Sequence, residues 1–130
     1  MIDSHAHLND PRFSDDVAEV VARAEANGVK FVINVGADLE SSRRAVEQSE
    51  EFSQLYAVVG VHPHDAVTWN EEVEDEIRNL TSHSKVLAIG ETGLDYYYDH
   101  SPRDVQQSVF RKQLALAREL DLPVVIHSRD

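Results

Sequence analysis

The stretch MIDSHAHL, residues 1–8, opens the chain and is followed at once by the turn-forming run NDP. Its apolar start predicts a short buried β-strand that this turn ends. Because side chains two positions apart on a strand point to the same side, His5 and His7 can direct two imidazoles at one point. Imidazole is the commonest protein ligand of transition metals. The stretch therefore predicts a metal site at the end of a first strand, although two surface histidines that merely lie close would show the same spacing.

Apolar runs and amphipathic segments alternate along the rest of the chain. After the first strand, further strands are predicted at 29–35, 55–61, 85–89 and 122–126. Four helices are predicted between the five strands, at 14–28, 38–52, 70–81 and 101–120. Ser14 and Ser101 are expected to cap the first and last helices, with Pro102 at the first helical position. Continuous apolar strands separated by helices are typical of a parallel sheet that is buried on both faces.

Two architectures fit this α/β alternation. One is an open, doubly wound sheet, and the other is the first part of an eight-stranded (β/α)8 barrel, which typically takes about 250 residues. The chain stops just past a fifth strand with no helix to cover it. We therefore expect residues 1–130 to be the N-terminal part of a single barrel domain, apparently truncated after strand 5.

Composition limits the classes of function. The chain of 130 residues has 42% hydrophobic residues, a net charge of −12 and no cysteine. No apolar run is long enough to span a bilayer and no secretory signal is visible, so we expect a cytoplasmic protein without a membrane partner. No obligate protein partner is evident. An acidic protein gains nothing from overall charge when it binds nucleic acid, so a phosphate substrate needs local attraction, which a bound cation can supply.

The residues that can bind metal or substrate collect at one edge of the predicted sheet. In parallel α/β folds the ligand site lies at the carboxyl ends of the strands. The residues at these ends are His5, His7, His62, His64, Glu91 and His127. The remaining histidines, His83 and His100, fall in or beside helices and are interpreted as surface residues.

Three imidazoles and a carboxylate are suitable ligands for Zn²⁺ or Mn²⁺. Glu91 can bridge two cations with its two oxygens, an arrangement typical of nucleases and phosphatases. A turn role for Glu91 and a core position for His127 remain open. His62, His64 and Arg129 are candidate substrate contacts, although a salt bridge of Arg129 to Asp130 or Asp3 is an equal alternative.

Four segments together resemble the TatD-type metal-dependent hydrolases and occur in the family's order: residues 3–8, 60–64, 90–96 and 123–129. The resemblance implies a TIM-type barrel of the metallo-dependent hydrolase superfamily. It implies that His5 and His7 bind one divalent metal (Zn, Mn or Mg), that Glu91 bridges two ions and orients the attacking water, and that His127 binds the second ion. The family also uses a histidine and an aspartate from later strands, which residues 1–130 do not include.

The resemblance implies a deoxyribonuclease that cleaves phosphodiester bonds with metal-activated water, as a 3′–5′ exonuclease does, with ends or single strands of DNA as substrate. A metal-dependent hydrolase of a small ester, amide or aminoacyl ester is the first alternative, because fold does not fix substrate. A non-catalytic half barrel that binds metal weakly or pairs with another copy is the second.

Overall fold

The computed structural model describes all residues from Met1 to Asp130. Five strands alternate with four α-helices, as predicted. The strands are β1 (Ile2–Ala6), β2 (Phe31–Val35), β3 (Leu55–Val59), β4 (Val86–Asp95) and β5 (Val124–Arg129). The helices are α1 (Val17–Ala26), α2 (Leu39–Glu51), α3 (Glu71–Leu80) and α4 (Arg103–Leu120). Short 3₁₀ turns at Pro11–Phe13 and Pro63–Thr68 follow β1 and β3.

The sheet decides between the two predicted architectures. All four strand pairs are parallel, and the strand order is β1-β2-β3-β4-β5 without a reversal. A doubly wound sheet reverses its order and carries helices on both faces. Here the helices pack on one face only, so the sheet is a half barrel and the barrel prediction is confirmed.

The core lies between the sheet and its helices. Its largest cluster joins the outer face of β3 and β4 to α2, α3 and α4: Ala45, Val46, Ala57, Val59, Ile77, Val86, Ile89, Leu116 and Ala117. A second cluster joins α1 to β2 and β3: Leu8, Val17, Val21, Val32 and Leu55. The opposite sheet face carries a smaller apolar cluster of Val35, Val58 and Ala88.

The two outer strands differ from the prediction of full burial. Residues 2–5 of β1 are exposed, and in β5 Ile126, Ser128 and Arg129 are exposed. Each outer strand has a neighbour on one side only, and α4 leaves most of β5 uncovered. The apolar runs therefore predicted the positions of these two strands correctly, but they did not predict how exposed the strands are.

β4 is twice as long as predicted, because the strand continues past Gly90 instead of ending there. The register between β4 and β5 shifts between Ile89 and Thr92, after which Gly93 pairs with His127. A Cβ built on Gly93 would overlap the His127 carbonyl oxygen, and its φ of +140° is one that other residues rarely adopt. Glycine thus allows β4 and β5 to approach closely at the edge that carries the site, and Glu91 lies within β4 rather than after it.

Two predicted helix caps are wrong. α1 begins at Val17, and Ser14 Oγ instead donates to the Pro11 carbonyl in the preceding turn. α4 begins at Arg103, and Ser101 Oγ donates to the His64 carbonyl. Both hydroxyls satisfy a nearby loop carbonyl, a competing bond that serine side chains commonly make.

Two glutamines two turns apart on α4 join this helix to the strand ends. Gln106 Nε2 donates to the Asp95 carbonyl and its Oε1 accepts from the Asp95 backbone N–H. Gln113 Nε2 donates to the Val61 carbonyl and to Thr92 Oγ1. Both amides are buried and paired, as burial of polar groups requires. They fix the ends of β3 and β4, where the candidate ligands lie. No helix combines the length and the apolar character needed to cross a membrane.

Candidate metal centre

Two groups of ligand atoms meet at the carboxyl end of the sheet, and they share Glu91. The first is His5, His7 and Glu91, and the second is His62, Glu91 and His127. Within each group, one ligand atom from each residue lies within 4.8 Å of the others. The two oxygens of Glu91 divide between the groups: Oε2 lies 3.4 Å from His5 Nε2, and Oε1 lies 3.4 Å from His127 Nδ1.

The strand geometry of β1 brings its two histidines together as predicted. His5 lies within the strand and His7 follows its last residue, and their ring centroids are 5.0 Å apart. His7 Nδ1 lies 3.0 Å from the Val35 carbonyl oxygen. Because a carbonyl only accepts, Nδ1 carries the proton and Nε2 keeps its lone pair. This is the tautomer that a metal-binding histidine requires.

His127 is oriented by a carboxylate that sequence reasoning did not assign to the site. Its Nε2 lies 2.9 Å from Asp95 Oδ2, so the imidazole donates there and its Nδ1 lone pair faces Glu91. His64 Nε2 lies 2.9 Å from the same oxygen. A histidine that ligates metal commonly donates its other N–H to a carboxylate, which fixes its tautomer and orientation.

Asp95 is held in place from several sides. Its side chain is 1% exposed, and its Oδ1 accepts the Tyr98 backbone N–H at 3.0 Å. Burial alone would raise the pKa of this carboxyl, but the hydrogen bonds from Tyr98, His127 and His64 hold the pKa below its usual range. Asp95 is therefore an ionised acceptor for both imidazoles.

His62 presents a donor rather than a lone pair to the site. Its Nδ1 accepts the His64 backbone N–H at 3.1 Å, so in the neutral ring Nε2 carries the proton. Burial, together with the neighbouring His127 and His64, lowers the pKa of His62 to about 4. A neutral ring with Nε2–H is suited to contact an anionic substrate, although its atoms lie within the second group.

Arg129 and the tyrosines after β4 lie beside this second group. The Arg129 guanidinium makes neither of the salt bridges considered from the sequence. Its Cζ instead lies 4.5 Å and 5.1 Å from the ring centroids of Tyr97 and Tyr98. His100 is exposed as predicted, yet its ring lies 4.6 Å from that of His64 and stacks on Tyr98.

The donor set fits divalent cations. Two imidazoles with fixed lone pairs, a third exposed imidazole and a two-oxygen carboxylate converge without a neutralising lysine or arginine among them. Nitrogen and carboxylate donors of this kind suit Zn²⁺ and Mn²⁺. Residues 1–130 supply three imidazoles besides that of His62, so two ions would need further ligands.

Comparisons with known proteins agree with this geometry. The sequence model of the TatD related DNase family matches residues 2–130. The chain is 48% identical over 130 residues to the uncharacterized metal-dependent hydrolase YabD of Bacillus subtilis, covering 100% of this chain and 51% of that protein. It is 40% identical over 130 residues to the 3′-5′ ssDNA/RNA exonuclease TatD of Cronobacter sakazakii, covering 100% of this chain and 49% of that protein.

Among solved structures, YjjV, a TatD homolog from Escherichia coli, superposes with a TM-score of 0.91 at 34% identity, covering 99% of this chain and 51% of that one. A TatD family hydrolase from Entamoeba histolytica superposes with the same TM-score at 29% identity, covering 100% of this chain and 50% of that one. The chain thus spans about half the length of the relatives it matches. With matching motifs, fold and family model, the chain belongs to the TatD related DNase family.

Proposed function

We propose that the protein is a metal-dependent hydrolase of phosphodiester bonds in nucleic acids, acting from a free end in the manner of a 3′–5′ exonuclease. The observation that carries the proposal is the position of Glu91, whose two oxygens each lie 3.4 Å from a histidine of a different donor group. The exonuclease name of the relatives from Cronobacter and other bacteria supports the substrate class.

The proposed metal ligands are His5, His7, Glu91 and His127. Divalent cations held by such a set supply positive charge beside a phosphodiester and make water a better nucleophile. Zn²⁺, Mn²⁺ and Mg²⁺ are the ions to compare, and two per site is the proposed number. Because the matched relatives are about twice as long, we propose that residues 1–130 form the N-terminal part of one barrel domain, whose later strands complete the ligand set.

The other polar residues at this edge of the sheet bind the substrate or orient the histidines. His62 Nε2–H can donate to a non-bridging phosphate oxygen, and its neutral ring costs no charge repulsion with His127. His64 donates to Asp95 through Nε2, which leaves Nδ1 for a substrate contact. Arg129 offers a planar guanidinium suited to a phosphate. Asp95 is a positioning residue, because it acts through His127 and His64.

The excess of acidic residues also agrees with attack at an end. A net charge of −12 disfavours the broad backbone contact by which proteins wrap a duplex. A strand end needs only local attraction, which cations and Arg129 can supply. The acidic charge therefore favours an exonuclease over a duplex-binding endonuclease.

The test is hydrolysis by the natural full-length protein. A 3′-labelled oligonucleotide is assayed beside a panel of small esters and lactones, first after dialysis against EDTA and then after each metal is added back. We expect metal-dependent release of labelled mononucleotides. Hydrolysis of the ester panel alone would instead identify a small-molecule hydrolase, the alternative that the name of YabD leaves open.

A further inference from the structure

Two exposed tyrosines and an arginine without a carboxylate partner lie at the carboxyl edge of the sheet, next to the second donor group. We propose that Tyr97, Tyr98 and Arg129, the aromatic subsite, stack an unpaired nucleobase of a single-stranded nucleic acid and bind its adjacent phosphate. The inference rests on the proposed function and specifies where that substrate is held.

The tyrosines present aromatic surface to solvent, and Tyr97 is the main stacking residue because His100 already stacks on Tyr98. Tyr97 is 60% exposed and Tyr98 is 49% exposed, although both follow directly after the end of β4. Their ring centroids lie 4.7 Å apart at an interplanar angle of 83°. Because the two rings are nearly perpendicular, the edge of one tyrosine ring meets the face of the other. Every nucleobase has a π-face, so such a surface binds unpaired bases without regard to sequence.

Arg129 is the cation of this subsite and has its hydrogen-bond donors available. Among residues 1–130, its guanidinium contacts both tyrosine rings but donates no side-chain hydrogen bond and makes no ion pair. Arg103 gives the contrast: it lies 4.4 Å over Tyr96 yet is paired with Asp99. In a chain with twice as many acidic as basic residues, an arginine that has no carboxylate partner is available for an anion.

The subsite is joined to the metal centre by a continuous row of rings. The Tyr98 ring lies 5.7 Å from that of His64, which lies 4.3 Å from that of His62 in the second donor group. A backbone hydrogen bond also joins the tyrosine segment to β5, because the Tyr96 N–H donates to the Arg129 carbonyl at 2.8 Å. A base held on the tyrosines would therefore place a neighbouring phosphodiester close to Glu91 and His127.

The subsite favours single strands over duplexes. Bases inside a duplex are stacked on each other, and their faces are not accessible to a side chain without unpairing. An apolar contact surface for a protein partner would also expose tyrosines, but it would not require an unpaired guanidinium beside a cluster of histidines. The observations thus favour a nucleic acid strand as the occupant.

The experiment measures binding separately from hydrolysis. Fluorescence anisotropy gives the Kd of the natural full-length protein, in EDTA, for a labelled octathymidylate and for a hairpin duplex, over a range of salt concentrations. The variants are Tyr97→Leu, Tyr97→Phe and Arg129→Gln. Arg23→Gln is the matched control, since it removes an exposed arginine on α1, on the helix-covered side of the sheet. Circular dichroism checks that each variant is folded.

We expect Tyr97→Leu to raise the Kd for the single strand about 5- to 150-fold, the loss typical of one stacked base. Tyr97→Phe keeps the ring and should leave the Kd within about twofold. A plot of the logarithm of the association constant against the logarithm of the salt concentration has a negative slope. Arg129→Gln should make this slope less steep by about 0.7, the value for one phosphate contact of a single strand. Arg23→Gln should change neither quantity.

The inference is overturned if the unmodified protein does not bind the single strand, or if Tyr97→Leu weakens binding of the duplex as much as that of the single strand. If Tyr97→Leu does not fold, the deciding variant is Arg129→Gln. An unchanged salt dependence of single-strand binding in Arg129→Gln then overturns the inference. Hydrolysis of the same oligonucleotide with Mn²⁺ is measured in parallel. Tyr97-dependent binding without hydrolysis would contradict the proposed function and leave this subsite supported.

Discussion

The two donor groups that share Glu91 are held in different ways. Among residues 1–130, β1 of the first group has a neighbouring strand on one side only, and the side chain of His5 is 41% exposed. Its firmest anchor is one backbone carbonyl, that of Val35, on His7. The second group is half-buried, and its His127 donates to Asp95, a carboxylate that is 1% exposed. The second group is therefore preorganised by hydrogen bonds to a buried carboxylate, whereas in the first group a single backbone carbonyl orients one histidine and leaves His5 free to move.

The largest expected effect on activity comes from changing Glu91, the residue that the two donor groups share. Glu91→Gln keeps the size of the side chain but removes its charge and one acceptor oxygen. We expect hydrolysis of a 3′-labelled oligonucleotide by the full-length protein to fall roughly a thousandfold, because several kcal/mol of charge stabilisation is lost. Near-normal rates in the presence of metal would contradict the mechanism.

A second change disturbs the preorganised group through the backbone. In Gly93→Ala, the added methyl group would overlap the His127 carbonyl oxygen, so β5 must shift. We expect a loss of about 3 kcal/mol in the free energy of unfolding, from crowding together with an unfavourable φ. Chemical denaturation measures it.

Gly28→Ala is the control for that change. Gly28 also has a positive φ, of +88°, but no atom lies within 4 Å of a Cβ built there. We expect a loss of only about 1 kcal/mol, from the conformation alone. Equal losses for the two variants would show that the close approach of β4 and β5 carries no energetic weight.

Asp95→Asn tests the carboxylate that holds the second group. The amide is of the same size but is a weaker acceptor for the two imidazoles at Oδ2. We expect metal affinity, measured by calorimetry, to fall about 10- to 100-fold, the usual cost of losing such an outer partner. Asp99→Asn is the matched control on the same loop, where the carboxylate is exposed and pairs with Arg103.

A purely structural role for Asp95 would give a different pattern. It would lower the melting temperature of the metal-free protein and leave the affinity of the folded fraction for metal unchanged. Weaker metal binding at an unchanged far-ultraviolet spectrum is therefore the result that identifies a positioning residue.

The smallest expected effect concerns the exposed group. His5→Gln removes an imidazole that has no buried partner, so the unfolding free energy of the metal-free protein should change by less than about 0.5 kcal/mol. A thermal melt in EDTA measures it. A loss of several kcal/mol would mean that the two groups are equally preorganised and would remove the contrast between them.

The sequence predicted the fold well where the signal was local. Alternating apolar runs and helical patterns gave five strands and four helices, and the i, i+2 spacing gave the convergence of His5 and His7. It did not predict the exposure of β1 and β5, because an apolar run has the same pattern in a central strand and an outer one. The carboxyl end of β4 was missed because Gly90 and Gly93 suggested a turn, whereas these glycines allow close contact between β4 and β5.

Within the site, the histidines and Glu91 were found because strand ends gather at one edge of a parallel sheet. Asp95 was interpreted only as a residue that could line a pocket, because its partners His64 and His127 lie 31 and 32 residues away in sequence. Gln106 and Gln113 were overlooked on α4 for the same reason. The two glutamines are seven residues apart and lie on the apolar side of the helix. This position was the sign in the sequence that both side chains are buried and hydrogen-bonded.

We propose that Glu91 is shared by two cation sites. X-ray diffraction from crystals of the full-length protein grown with Mn²⁺ or Zn²⁺, recorded at the absorption edge of the metal, tests it most directly. We expect two anomalous peaks, one contacted by Glu91 with His5 and His7 and the other by Glu91 with His127. A single peak that does not contact Glu91, or peaks only at other residues, would contradict the claim.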